Sequence, residues 1–250
     1  MRRTAAGFGA LALLVTLSGC FNPFRPDILN QRVTTTAPTP NSPQNAVKLF
    51  EWCWVNRGVD EYRELFTDDY VFISAEKDSA GNESRDIQAR RDDEVQTAEN
   101  MFIGSPEKAP AEQITLLFDQ NLIPFPDSRP GKNPWWHKQI RTSVNLKVRI
   151  DSGNTVEVTG NALFFLTRGD SAAIPKELID RGLKPAPGDT TSNKALRWWI
   201  DRWEDETLAP AAGIRSADVR SAQSPNIGPY IEMSMSDLRH LYYVPPGVRP

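Results

Sequence analysis

The 250-residue chain carries 29 basic and 32 acidic side chains, a formal charge of −3, with 39% hydrophobic residues and seven Trp. That balance excludes the clustered positive surface a nucleic-acid partner needs, and the apolar content is enough to bury a real core.

Arg2 and Arg3 open the N-terminus, and an apolar stretch runs from Ala5 through Leu17. It is too short to span roughly 30 Å of hydrocarbon as a permanent helix. It ends in Leu17-Ser18-Gly19-Cys20, which resembles the lipobox of bacterial lipoproteins. The resemblance implies that residues 1–19 are a signal peptide and that Cys20 is the lipidation site, so the partner of the mature N-terminus is a membrane. Acyl chains at ~0.8 kcal/mol per buried CH₂ would hold the chain there without a transmembrane helix. The competing readings are an ordinary secretory signal with a chance cysteine, or an uncleaved anchor. Phe21 rather than Asp follows Cys20; by the Gram-negative sorting rule this implies an outer-membrane location facing the periplasm. Without residues 1–19, 27 basic and 32 acidic side chains leave a charge of −5. With Cys20 acylated only Cys53 remains, so no intramolecular disulfide can form. Cys53 sits between Trp52 and Trp54 and reads as a small buried apolar group rather than a nucleophile.

Residues 20–42, with Pro23, Pro26, Pro38 and Pro40 and no apolar period, read as a flexible tether. Ser42-Pro43 is a helix start, and Val47, Phe50, Trp54 and Val55 recur at helical spacing up to Gly58. A short helix is expected over Glu61 to Phe66, then a strand over Tyr70 to Ser74, a polar turn over Lys77 to Asn82 and a third helix from about Asp86 to Phe102. The rest reads mainly as antiparallel sheet. Ile114 to Phe118 is a first strand. From Ile140 to Ile150 apolar and polar residues alternate through six repeats, the clearest period-two signal in the chain. Asp151-Ser152-Gly153-Asn154 supplies a turn, and Thr155 to Thr167 is the partner strand. An excursion over Arg168 to Lys194 contains a short helix, Pro175 to Arg181, and Ala195 to Glu206 is the last strand. From 207 to 250 an irregular C-terminal extension is expected, apart from a helical turn near Ser236 to Tyr242.

Two stretches carry a further resemblance. Leu65-Phe66-Thr67-Asp68-Asp69-Tyr70-Val71-Phe72 and Trp198-Trp199-Ile200-Asp201-Arg202-Trp203-Glu204-Asp205 look like the opening and closing strands of the nuclear transport factor 2-like superfamily, which includes ketosteroid isomerases and polyketide cyclases. The order of elements over residues 43–206 agrees. The resemblance implies an α+β fold, a cone-shaped curved antiparallel sheet packed against N-terminal helices, with a pocket at the wide end. Some members are enzymes and many only bind, so fold membership leaves function open.

Two histidines, His137 and His240, are few for a Ser-His-Asp or Cys-His arrangement. No spacing suggests a zinc site, Asp78 to Glu83 lacks the calcium-loop pattern, and no cofactor is expected. Isomerase-like chemistry would need a carboxylate in an apolar pocket. Asp119, Asp201 and Asp205 lie on or beside strands; Asp201 and Asp119, with His137, are the catalytic candidates, against an outward salt bridge for Asp201. In a regular strand Asp201 shares a face with Trp199 and Trp203 while Trp198 and Ile200 occupy the other; which face enters the cone is left open, and a bulge in this strand is an alternative. Trp135, Trp136 and Trp199 are the candidate ligand-binding residues; the rival reading folds the Phe125, Trp135, Trp136 loop over core. The expected role is ligand-binding or scaffold protein at the envelope, the alternative an isomerase, cyclase or dehydratase. Partners beyond the membrane are a small apolar ligand and a second copy of the chain.

Overall fold

The computed structural model describes residues 36–77, 83–150, 153–169, 174–183, 191–207 and 230–244. These belong to the second of the chain's two units, 34–250. The expected signal peptide, Cys20, most of the tether and the turn at 78–82 lie outside the described residues.

Helix α1 (Pro43–Asn56) starts as the sequence requires: Ser42 Oγ accepts from the Asn45 N–H at 3.1 Å, with proline at the first position. It stops one residue before the expected Gly58, at Arg57, whose φ of 59° is left-handed. The Arg57 guanidinium donates to the carbonyls of Phe102, Ala111 and Glu112 at 3.0, 2.6 and 2.9 Å. Those bonds offset the backbone cost of a non-glycine cap. The expected tether also ends early, because Ala37 packs on the core and the Pro40 carbonyl accepts from the Trp198 N–H at 2.7 Å.

Helix α2 (Val59–Arg63) is shorter and earlier than the expected 61–66; Glu64 and Leu65 form a turn and Phe66 opens strand β1 (Phe66–Lys77). The third helix is corrected more strongly: its first residues form strand β2 (Glu83–Arg90), and α3 is Arg91–Ile103. The edge of β1 needed a partner, and tertiary pairing outweighed a weak helical pattern. Strands β3 (Gln113–Leu117), β4 (Phe125–Pro126), β5 (His137–Arg149) and β6 (Thr155–Arg168) follow, then helix α4 (Lys176–Asp180) and strand β7 (Trp198–Thr207). In the tail, the helical turn expected near Ser236 to Tyr242 is helix α5 (Met235–Tyr242); the unexpected features are strand β8 (Tyr230–Glu232) and the place of Met235, Leu238 and Tyr242 in the main core. Ser234 caps α5.

The α+β expectation holds, with one correction: the sheet is mixed. Its order is β2-β1-β7-β6-β5-β3, with β4 on β5 and β8 on β6, and the pairs β1–β7 and β6–β8 are parallel. These partners are distant in the chain, so no hairpin dictates their direction. β2 and β3 stand at opposite ends of the order, leaving the sheet open. Register shifts at Phe72/Ile73 and Phe165/Leu166 are bulges of the kind that bend a sheet and increase its twist. The main core lies between the helices and one face; Ile174, Leu178 and Trp199 form a smaller cluster apart from it.

Along β5 the alternation is as the sequence dictates: Ile140, Val144, Leu146 and Val148 are buried, while Arg141, Asn145 and Arg149 are exposed. Lys147 stands off this core and pairs with Glu157 at 3.2 Å. In denaturant melts Leu146→Ala should destabilise by ~2–5 kcal/mol and Lys147→Ala by ~0.5 kcal/mol or less; equal losses would contradict this packing.

Candidate functional site

The concave face is filled with aromatic side chains. Phe50 on α1 is in ring contact with Trp54, Tyr62, Phe66, Phe118, Phe164 and Trp203, at centroid distances of 5.1–6.5 Å. Phe72 of β1 meets Trp203 of β7 at 4.7 Å. Phe50, Trp54, Tyr62, Phe66, Phe72, Phe164 and Trp203 are all at most 1% exposed.

At one side of this packing lies a buried polar cluster. Glu94 of α3, fully buried, accepts from the Tyr62 hydroxyl at 2.7 Å and the Tyr70 hydroxyl at 3.0 Å. Arg239 of α5 completes it with a 2.5 Å ion pair, its guanidinium lying 4.3 Å from the Phe72 ring centroid and 5.8 Å from that of Trp203. Burial and then the Glu94 charge push both tyrosine hydroxyls well above their ordinary range. Burial alone would weaken the Arg239 cation, but Glu94 holds it firmly charged. Glu94, itself held by two phenol hydroxyls, and two ring faces flank the guanidinium, a cation site occupied by the chain's own Arg239.

Asp205 of β7 is 3% exposed, and burial raises its carboxyl to about 6, against bonds from the Thr207 N–H at 3.0 Å and hydroxyl at 2.9 Å. The same Thr207 hydroxyl accepts from the Met235 N–H at 3.0 Å, linking the carboxylate to the start of α5.

The sequence candidates lie elsewhere. Asp201 is the extra residue of the β6–β7 bulge, since Leu166 opposes Ile200 and Phe165 opposes Arg202. The bulge therefore separates the expected trio: Trp203 enters the main core, whereas Trp199 packs with Ile174 and Leu178. Asp201 accepts from Arg129 at 2.9 Å and Lys132 at 3.0 Å, an ion pair to a loop rather than to a neighbouring strand. Asp127 joins Arg129 at 2.6 Å, and Arg129 stacks 4.1 Å from the Phe165 ring centroid. Asp119 is held by the Ser143 hydroxyl and backbone N–H, at 2.5 and 2.8 Å, which lower its pKa. His137 Nδ1 accepts from the Asn133 N–H at 3.1 Å and closes a loop turn. Trp135 and Trp136 are 77% and 55% exposed, so they cover no core. Cys53 is buried, and burial pushes its thiol up, as expected of an apolar filler. Glu94 and Arg239 escaped sequence reading because one sits in a charged helix and the other in a tail with little pattern.

A groove of about 550 Å³ runs along α3, lined by Arg63, Arg91, Glu99 and Glu177 among others. Its cations are already paired, Arg91 with Glu177 at 2.8 Å and Arg63 with Glu99 at 3.3 Å. Among the described residues no group of three or more His, Cys, Asp or Glu could hold a metal. No described helix is long and apolar enough to cross a membrane.

No family model matches the chain, and no curated protein matches it. Solved structures give distant likenesses. A conserved protein from Planctomyces limnophilus is 13% identical, with a TM-score of 0.39 over 66% of this chain and 92% of its own. A nuclear transport factor 2-like superfamily protein from Salmonella enterica serovar Typhimurium is 14% identical, TM-score 0.39, over 68% and 92%. A protein named as a candidate scytalone dehydratase from Novosphingobium aromaticivorans is 11% identical, TM-score 0.40, over 69% and 86%. At this distance they carry nothing about activity, and the fold class rests on the strand order itself.

Arg239→Ala, which strands Glu94 without its cation, should cost ~3–5 kcal/mol. The double variant Glu94→Gln/Arg239→Met should recover at least half of that loss in urea melts; no recovery would show that the charges are not coupled.

Asp205 should leave a pH signature. Its folded pKa of about 6 exceeds the ordinary 3.8, so the fold favours the protonated carboxyl. That stability is fully present below about pH 4 and is lost as pH rises through 6, up to ~3 kcal/mol. Melting wild type and Asp205→Asn from pH 4 to 8 should show the difference between them changing in this sense; parallel curves would refute the burial effect.

Proposed function

We propose that the chain is a lipid-anchored envelope protein whose nuclear transport factor 2-like domain serves as a binding or scaffold module through its surface, not as a catalyst in its cone. The observation that carries the reading is the aromatic filling of the concave face around Phe50, closed by α5 through the Arg239–Glu94 pair. A substrate would have to displace buried rings and a buried ion pair, whereas ligand sites are usually largely pre-formed. The anchor rests on the Leu17-Ser18-Gly19-Cys20 pattern after a basic and then apolar start.

One observation favours an isomerase, cyclase or dehydratase instead: β7 carries a buried carboxylate, Asp205, whose burial raises its pKa to about 6, toward the range that carboxylate acid–base chemistry uses. That reading needs α5 to withdraw.

Two arms test the proposal. Labelled fatty acid should mark the wild-type chain and not Cys20→Ala. Indole should leave the melting temperature of wild type unchanged and raise that of Trp54→Ala, by filling the cavity the substitution opens. Stoichiometric binding of indole to wild type would mean the cone is an open pocket, and labelling that survives Cys20→Ala would remove the anchor.

A further inference from the structure

We propose that the aromatic loop between β3 and β5 is a second membrane contact, seated on a bilayer rich in anionic phospholipid; this rests on the lipid-anchor reading of Cys20. Ile123, Phe125, Trp135 and Trp136 are 58%, 55%, 77% and 55% exposed. The backbone brings the three aromatics to one end of β5. Phe125 opposes Gln139, the Asp127 N–H donates to the His137 carbonyl at 3.2 Å, and the Trp136 carbonyl accepts from the Arg168 N–H at 2.9 Å.

The loop is stiff before it binds. Pro124, Pro126, Pro130 and Pro134 restrict its backbone. The Trp135 N–H donates to Asn133 Oδ1 at 2.9 Å, and Arg129 bridges Asp127 and Asp201. Little conformational freedom is left to lose on docking. Paired indoles with an apolar body and a polar N–H suit the boundary between headgroups and acyl chains.

Charge selects this occupant. Between Gln120 and Arg141 the single carboxylate is Asp127, whose side chain is fully buried against Arg129. Arg129, Lys132 and Arg141 are matched by Asp127, Asp201 and Glu206. Lys138 and Arg168 have no carboxylate partner among the described residues. The chain beyond residue 19, at −5 overall, is repelled by an anionic leaflet except where this net-positive tip faces it. A symmetric second copy would set the same positive charge against itself.

The test uses the acylated full chain in phosphatidylglycerol vesicles, with and without acyl chains brominated near the headgroup. Flotation reports the anchor, and Trp fluorescence reports the loop. Wild type should float, shift its emission to the blue and be quenched by bromine. Trp135→Ala/Trp136→Ala should float equally, melt as wild type does, and lose both the shift and the quenching. The wild-type signal should weaken in phosphatidylcholine and with added salt. Quenching that persists in the double variant, or a shift that needs no vesicles and grows with protein concentration, overturns the proposal. Failure of wild type to float overturns the anchor, and a second contact with it.

Discussion

The buried carboxylate of Glu94 is the constraint on which the assembly of this domain depends. Bringing a carboxylate and a guanidinium out of water costs several kcal/mol per ion, and only good geometry with full hydrogen bonding compensates. Here two phenol hydroxyls and Arg239 supply that geometry, from α2, β1 and α5 around one side chain of α3. Each of those elements is therefore held in position by a penalty for leaving. The arrangement also helps explain why a helix so late in the chain belongs to the core: its Arg239 finds the Glu94 carboxylate there.

The second organising feature is the bulge at Asp201. In a regular strand Trp199, Asp201 and Trp203 would share a face, and a carboxylate between two indoles would read as a site. The extra residue hands Trp203 to the main core and leaves Trp199 with α4. Asp201 becomes the anchor of the loop that carries Arg129 and Lys132. Two ion pairs and a guanidinium stacked on Phe165 then hold rigid a loop whose aromatic tip stays in solvent. The packed interior and the exposed tip thus share a cause in the register of β7, and together they shift attention from the cone to the surface.

How much was legible varies by element. The alternation through β5 and the Ser42-Pro43 helix start are local patterns, and the fold keeps them because tertiary packing agrees with them. The helix expected from Asp86 failed because the free edge of β1 recruited residues 83–90 as a strand. The parallel pairing of β1 with β7 was invisible for a related reason: the two stretches that carry the family resemblance are neighbours in space, yet no local signal gives their direction.

The sequence by itself determined the burial of Cys53, the inward set along β5 and the lipobox pattern at Cys20, since each is a matter of composition, period or short-range order; the class of the domain it carried only as a resemblance in two stretches. Only the tertiary structure decided which carboxylates are buried. Glu94 lies in a helix whose first turn also holds Asp92 and Asp93, and nothing in that run of acids distinguishes it. Desolvation and the arrival of Arg239 from a distant segment distinguish it, because burial and long-range pairing are properties of the packed molecule and not of any stretch of the chain.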